Sequence, residues 1–484
     1  HVFDSPVDKI IFDVSHQTYI HKMLTGRQKA FMDPKHYDDV SGYTNPKESE
    51  HDLFTIGHTS TSLSLASGIL HARDLKNEKS NVIAIIGDGA LSGGMAYEGL
   101  NTIATLGTNA IIIINDNDQS IAKNPKGGIY TALESLRETK GQATNNIFKA
   151  LGYDYHYLED GNNLEELISL FKEVKDIDHP VVLHIYTEKG KGFEPAERNH
   201  EKFHAGGPFS LETGEYIKKG AVTSTYNGIT SEYLTKKLKE DPLAVVINAG
   251  TPGIVFNRKL REQLGSQFVD VGIAEEQAVT MTTGLAQNGA KPVWAVLSTF
   301  SQRTYDQLSH DMALNNQAGV VLVYSASINS MNDESHLGFF DIPFISHIPN
   351  FVYLAPTNKE EHLAMLEWAI NQNEHPVAIR VPVGSVVETG KEDKTDYSIL
   401  NKNKVEKFGE QVAIFGVGNF YNLAEEVSEK LKSEHNIEAT LVNPRFLTGL
   451  DKELLNSLKE NHKLVVTVED GIVEGGYGQT VASY

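Results

Sequence analysis

The stretch VIAIIGDGALSGGMAYEGLNTIATL (82–106) decides the fold. Val82–Ile86 is a continuous apolar run, and such a run without polar alternation reads as a strand buried on both faces. The glycines at 87 and 89 mark a turn, and the residues that follow read as a helix. Strand, glycine turn and helix together make the layout of a phosphate-binding site at the carboxyl edge of a parallel sheet. Apolar, β-branched runs recur at 110–115, 180–187, 243–250, 292–298, 319–325, 411–418, 439–444 and 463–470. Amphipathic segments such as EELISLFKEVKDI (165–177) and LAEEVSEKLKSEH (423–435) lie between them. This alternation predicts an α/β fold of doubly wound, mainly parallel sheets.

At 484 residues the chain is too long for one core. Polar segments at 209–221 and 390–410 suggest boundaries, giving three domains over 1–212, 213–395 and 396–484. The third reads as shortened, since the chain stops at Tyr484 just after a helix-like start. A composition of 40% hydrophobic and 22% charged residues is that of a globular protein. There is no run of 18 uncharged apolar residues and no signal-peptide pattern at the start. The absence of cysteine excludes disulfides, thiolate metal sites and cysteine nucleophiles, and it fits a cytoplasmic location. A net charge of −21 argues against a broad nucleic-acid or anionic-membrane surface. A phosphate ligand must therefore be held by local devices: a helix N-terminus, a bound cation or a few basic side chains.

Two common phosphate motifs do not fit the turn. The dinucleotide fingerprint G-x-G-x-x-G needs a third glycine where Ser92 stands, and the P-loop needs a lysine that is missing. A plain turn packing a helix on a sheet is the simplest alternative. Asp88, between two glycines at a strand end, shifts the balance. The next strand leads into NDNDQSI (115–121), which places Asn117 29 positions after Asp88. A carboxylate and an amide oxygen at adjacent strand ends suit Mg2+, which takes oxygen ligands and shares them with substrate phosphates.

GDG followed at this distance by N-D-N resembles the thiamine diphosphate motif of the transketolase superfamily. FDVSHQTYIHKMLTGR (12–27), TIGHTSTSLS (55–64), EKGKGFEPAE (188–197), FVDVGIAEEQAVT (268–280), STFSQRTYDQ (298–307) and VNPRFLTGLD (442–451) narrow the resemblance to the 1-deoxy-D-xylulose-5-phosphate synthase family. The resemblance spans nearly the whole chain. It implies diphosphate-binding, pyrimidine-binding and C-terminal domains of the transketolase type, and a homodimer. It also implies thiamine diphosphate on Mg2+ held by Asp88, Asn117 and the carbonyl of Gln119, with Gly87, Gly89 and Ala90 around the diphosphate. Glu275 would bond the cofactor's pyrimidine, in preference to Glu276. Phe300 would stack on that ring, and Ile121 would support the bent cofactor. His16, His58, His204 and His336 are the implied proton shuttles, with His58 also at the cofactor. The reaction implied is decarboxylation of a 2-oxo acid such as pyruvate, followed by ligation to an aldehyde.

The acceptor pocket departs from the family pattern. Aligned without gaps on His336, one phosphate-binding arginine falls at Ser325. The R-Y-P-R-G pattern reads RVPVG (380–384), which keeps Arg380 but puts Val383 at the phosphate position. Leu297 replaces an expected tyrosine, and Asn332 an expected aspartate, although Asp333 is adjacent. Arg303 would bind substrate or a neighbouring carboxylate. Each lost charge-assisted bond is worth on the order of 1.5–3 kcal/mol. Three expectations follow: a synthase with its phosphate held elsewhere, a related thiamine enzyme using a non-phosphorylated or different acceptor, and a paralogue that binds the cofactor without turnover.

Overall fold

The computed structural model describes residues 1–217, 224–328 and 333–484. It divides into two compact units, His1–Gly220 with Gly272–Ala274, and Ala221–Val271 with Glu275–Tyr484.

The first unit is built on five strands, β1 (Lys9–Phe12), β2 (Val82–Gly87), β3 (Ala110–Asp116), β4 (Asp154–Leu158) and β5 (Pro180–Tyr186). Their order is β1-β2-β3-β5-β4, and every pair is parallel. β2, β3 and β5 are buried almost throughout because helices cover both faces, which is why their sequences are dominated by Val, Ile and Leu. Two apolar clusters lie on opposite faces. One gathers Ala84, Ile86, Ile112 and Ile114, and the other Ile83, Ile111, Val181 and Leu183. The helices Ser62–Leu75 and Gly94–Leu106 pack closely at Gly99, where an added Cβ would lie 2.6 Å from Leu63 Cβ.

The second unit holds two sheets. The larger is all parallel, in the order β10-β11-β9-β8-β6-β7. Its strands are β6 (Ala244–Asn248), β7 (Phe268–Asp270), β8 (Lys291–Leu297), β9 (Val320–Tyr324), β10 (Val352–Leu354) and β11 (Val377–Arg380). The smaller consists of β12 (Lys404–Lys407), β13 (Gln411–Gly416), β14 (Thr440–Asn443) and β15 (His462–Val468) in the order β12-β14-β13-β15. Only β12 is antiparallel. One apolar core runs through both sheets, from Trp294 and Val323 to Phe415 and Val442. The second and third segments read from sequence therefore share a core. Among the described residues no helix is long and apolar enough to cross a membrane.

Candidate active site

In the first unit the carboxyl ends of β2 and β3 lie side by side, with Gly87 in register with Asn115. Asp88 follows β2 directly and is 1% exposed. Its Oδ2 accepts from Asn124 Nδ2. Burial, reinforced by the nearby Asp116 charge, pushes its carboxyl up to about 7. Asp116 itself is held low: burial would raise it, but His184 and Arg137 outweigh burial, donating to its Oδ2 at 2.8 and 2.6 Å. The buried oxygens Asn117 Oδ1 and Asn124 Oδ1 have no hydrogen-bond partner. A buried carboxylate driven towards its neutral form beside two orphaned amide oxygens is an arrangement that a cation would complete. Among the described residues no group of three or more His, Asp or Glu side chains is arranged to hold a metal. A cation here would rely on one carboxylate, on amide and carbonyl oxygens such as those of Asn117 and Gln119, and on a ligand's phosphates.

The turn is tight for a reason. A Cβ on Gly89 would sit 2.8 Å from Ser120 Cβ, so this glycine lets the 117–121 loop close over the turn. Ala90 is buried at the start of a short 3-10 turn (Ala90–Ser92), which leads to the N-terminus of the helix Gly94–Leu106. Ile121 is half-buried in the same loop.

Two histidine-bearing segments are pinned to this edge by Asp13. Its backbone N–H bonds the Ile85 carbonyl, and its carboxylate accepts from Ser60 N at 2.8 Å and Ser62 N at 3.0 Å. His58 lies just before that helix start, and His16 lies three residues after Asp13. Ser15 Oγ, donating to the Ile56 carbonyl at 2.8 Å, ties the two segments together. His16 is exposed, and its ring centroid is 5.4 Å from that of His204. Lys189 Nζ donates to His204 Nδ1 at 2.9 Å and to the Ser120 carbonyl. Burial, with the Lys189 charge and His16 adding to it, pushes His204 down to about 3.

In the second unit Glu275 opens the helix Glu275–Gln287 and is 2% exposed. Burial raises its carboxyl above the ordinary range, and Arg303, donating to Oε2 at 3.1 Å, opposes that rise. Of the two roles weighed for Arg303, the structure shows the carboxylate partner. Phe300 meets His336 edge-on at 5.5 Å. His336 is buried, which lowers it, while Asp333 pulls the other way from 3.9 Å.

The acceptor positions are mixed. Ser325 follows β9 with a positive φ of 55°. Leu297 packs against the core of the larger sheet. Asn332 lies outside the described residues. Val383 is half-buried, and its N–H donates to Asn419 Oδ1 at 2.8 Å. Arg380, the arginine kept from the pattern, is closed off: it is 2% exposed and ion-paired with Asp341 and Asp470.

Comparison with known proteins decides among the expectations. Residues 1–145 and 135–187 match the family model described as 1-deoxy-D-xylulose-5-phosphate synthase. Residues 223–387 match the pyrimidine-binding domain of transketolase, and 401–484 its C-terminal domain. This chain belongs to the 1-deoxy-D-xylulose-5-phosphate synthase family. A family protein of that name from Caldanaerobacter subterraneus subsp. tengcongensis is 39% identical over 99% of this chain and 82% of its own length. Another from Clostridium perfringens is 38% identical over 100% of this chain and 83% of its own. As a member of this synthase family the chain is a transferase-type thiamine diphosphate protein, and the expectation of a different acceptor is not favoured. Reading by motif left out Asn124, Asp116 and Lys189. Lys189 and Asp116 lie inside the quoted EKGKG and NDNDQSI stretches, but nothing in the local pattern singles them out.

Proposed function

We propose that this chain joins pyruvate to glyceraldehyde 3-phosphate with loss of CO2, giving 1-deoxy-D-xylulose 5-phosphate. The cofactor is thiamine diphosphate with Mg2+, and the active form is a cytoplasmic homodimer. The observation that carries the reading is the relation to synthases of that name over 99% of the chain. When bound, thiamine diphosphate supplies the carbon nucleophile and the electron sink for both steps.

The chain's own residues do the rest. Asp88, the Asn117 amide oxygen and the Gln119 carbonyl hold the cation, which explains how a protein of net charge −21 keeps a diphosphate. Backbone N–H groups of Gly87–Ala90 add positive potential. Glu275, its carboxyl raised by burial, keeps a proton to share with the pyrimidine nitrogen, and Arg303 limits how far that rise goes. Phe300 and Ile121 give the cofactor apolar surface. His16, His58, His204 and His336 move protons to and from the substrates. Ser325 and Val383 carry no charge and Arg380 is occupied by its two aspartates. The acceptor phosphate is therefore gripped by other groups.

The test is release of CO2 from pyruvate with Mg2+ and thiamine diphosphate, with and without glyceraldehyde 3-phosphate. Stimulation and a deoxyxylulose phosphate product are expected. Release indifferent to the phosphorylated aldehyde would restore the different-acceptor reading.

A further inference from the structure

Lys189 follows β5 in the EKGKG segment and sits half-buried between two elements that carry proposed site residues. One of its ammonium hydrogens goes to the Ser120 carbonyl, in the loop that bears Asn117 and Gln119. Another goes to Nδ1 of His204 at 2.9 Å. An ammonium group has three donors and no acceptor. Burial lowers this ammonium to about 8, so it is charged at neutral pH. While it is, a ring nitrogen in contact with it must accept, and the proton of a neutral imidazole is forced onto the other nitrogen, Nε2. The ring is neutral because burial and the adjacent cation both disfavour imidazolium, driving His204 down to about 3. His16 packs against the same ring at 5.4 Å.

We propose that Lys189 is the positioning residue of His204: it fixes the histidine as a neutral Nε2–H donor and ties that donor to the 117–121 loop. The proposal rests on the reading that His204 handles a proton of the substrate. A histidine held in this way is a hydrogen-bond donor through Nε2. When that proton moves to the substrate, Nδ1 takes the shared proton of the Lys189 ammonium, and the amine is reprotonated from water or a neighbouring group. His16, exposed and adjacent, is placed to be that neighbour. Lys189 thus does for His204 what a carboxylate does for a histidine that must act first as base, but with the opposite tautomer.

The experiment is long-range 15N–1H NMR of the ligand-free full chain, with the His204 signal assigned by its loss in His204→Asn. At neutral pH, wild type is expected to show the Nε2–H tautomer alone. Lys189→Met is expected to show a mixture, with kcat lowered about 100-fold and KM for pyruvate little changed. Lys189→Arg, which keeps a cationic donor, is expected to recover the tautomer and part of kcat. An Nδ1–H signal in wild type overturns the proposal and needs no variant to fold. Retention of the pure Nε2–H tautomer in a folded Lys189→Met also overturns it. A changed tautomer with unchanged kcat overturns the role of His204 in the reaction, while CO2 release by wild type would leave the proposed activity standing.

Discussion

Asp88 shows how a single residue is prepared for a ligand at the expense of the empty fold. Its folded carboxyl titrates near 7 against an ordinary 3.8, so the folded state binds this proton more tightly than the unfolded state. Its contribution to stability is present below about pH 4 and is lost as the pH rises through 7. Each pH unit of that window is worth about 1.4 kcal/mol at most. Asp88→Asn removes the buried charge. The variant is expected to melt no lower than the parent at pH 8 without Mg2+. It should gain no thermal shift from Mg2+ plus thiamine diphosphate, where the parent gains about 2.7 kcal/mol at a hundredfold excess over Kd. Melting curves under the four conditions check both halves, and an undiminished shift would remove Asp88 from the cofactor site.

At the scale of elements, the segment bearing His16 is held less by its short helix Tyr19–Lys22 than by a buried carboxylate. Asp52 accepts from His21 Nε2 at 2.9 Å, from Arg27 at 2.6 and 3.0 Å and from Asn45 N at 2.9 Å. Burial alone would raise this carboxyl, but these partners hold it well below the carboxylate range. A depressed folded pKa gives stability that is present above the ordinary carboxylate value and lost as pH falls below it. Asp52→Asn should cost about 3–5 kcal/mol at pH 7, as removal of one partner from a buried ion pair does. The difference from wild type should shrink below pH 4, as read by urea unfolding at several pH values. The same scale separates what periodicity could and could not find. β2, β3, β5, β6, β8 and β9 were legible because they are central and apolar. β4 (DYHYL) and β12 (KVEK) were not, since both are edge strands with polar side chains, and β7 and β10 have only three residues each.

Over the second unit as a whole, the smaller sheet reaches Val383, one of the positions read for the acceptor, through one buried cluster. Asp470, after β15, pairs with Arg380 at the end of β11 and accepts from Asn419 Nδ2 at 2.9 Å. The Asn419 amide oxygen in turn receives the Val383 N–H. Asp341 and Tyr353 complete the cluster around Arg380. Asp470→Asn leaves the buried guanidinium short of one counter-charge. It should cost about 3–5 kcal/mol and raise KM for the aldehyde more than KM for pyruvate. Equal KM changes would show that the cluster only holds the sheets together.

The sequence by itself determined the α/β class, the glycine turn with Asp88, and the histidine and glutamate motifs. Each of these rests on local pattern: apolar period, turn chemistry, and residue types at short spacing. Only the tertiary structure decided that Arg380 is spent on two aspartates, that Arg303 lies on Glu275, and that Lys189 and Asn124 serve His204 and Asp88. Those partners are 15 to 90 residues apart along the chain. Charge pairing and desolvation depend on distance in space, and no one-dimensional pattern encodes it.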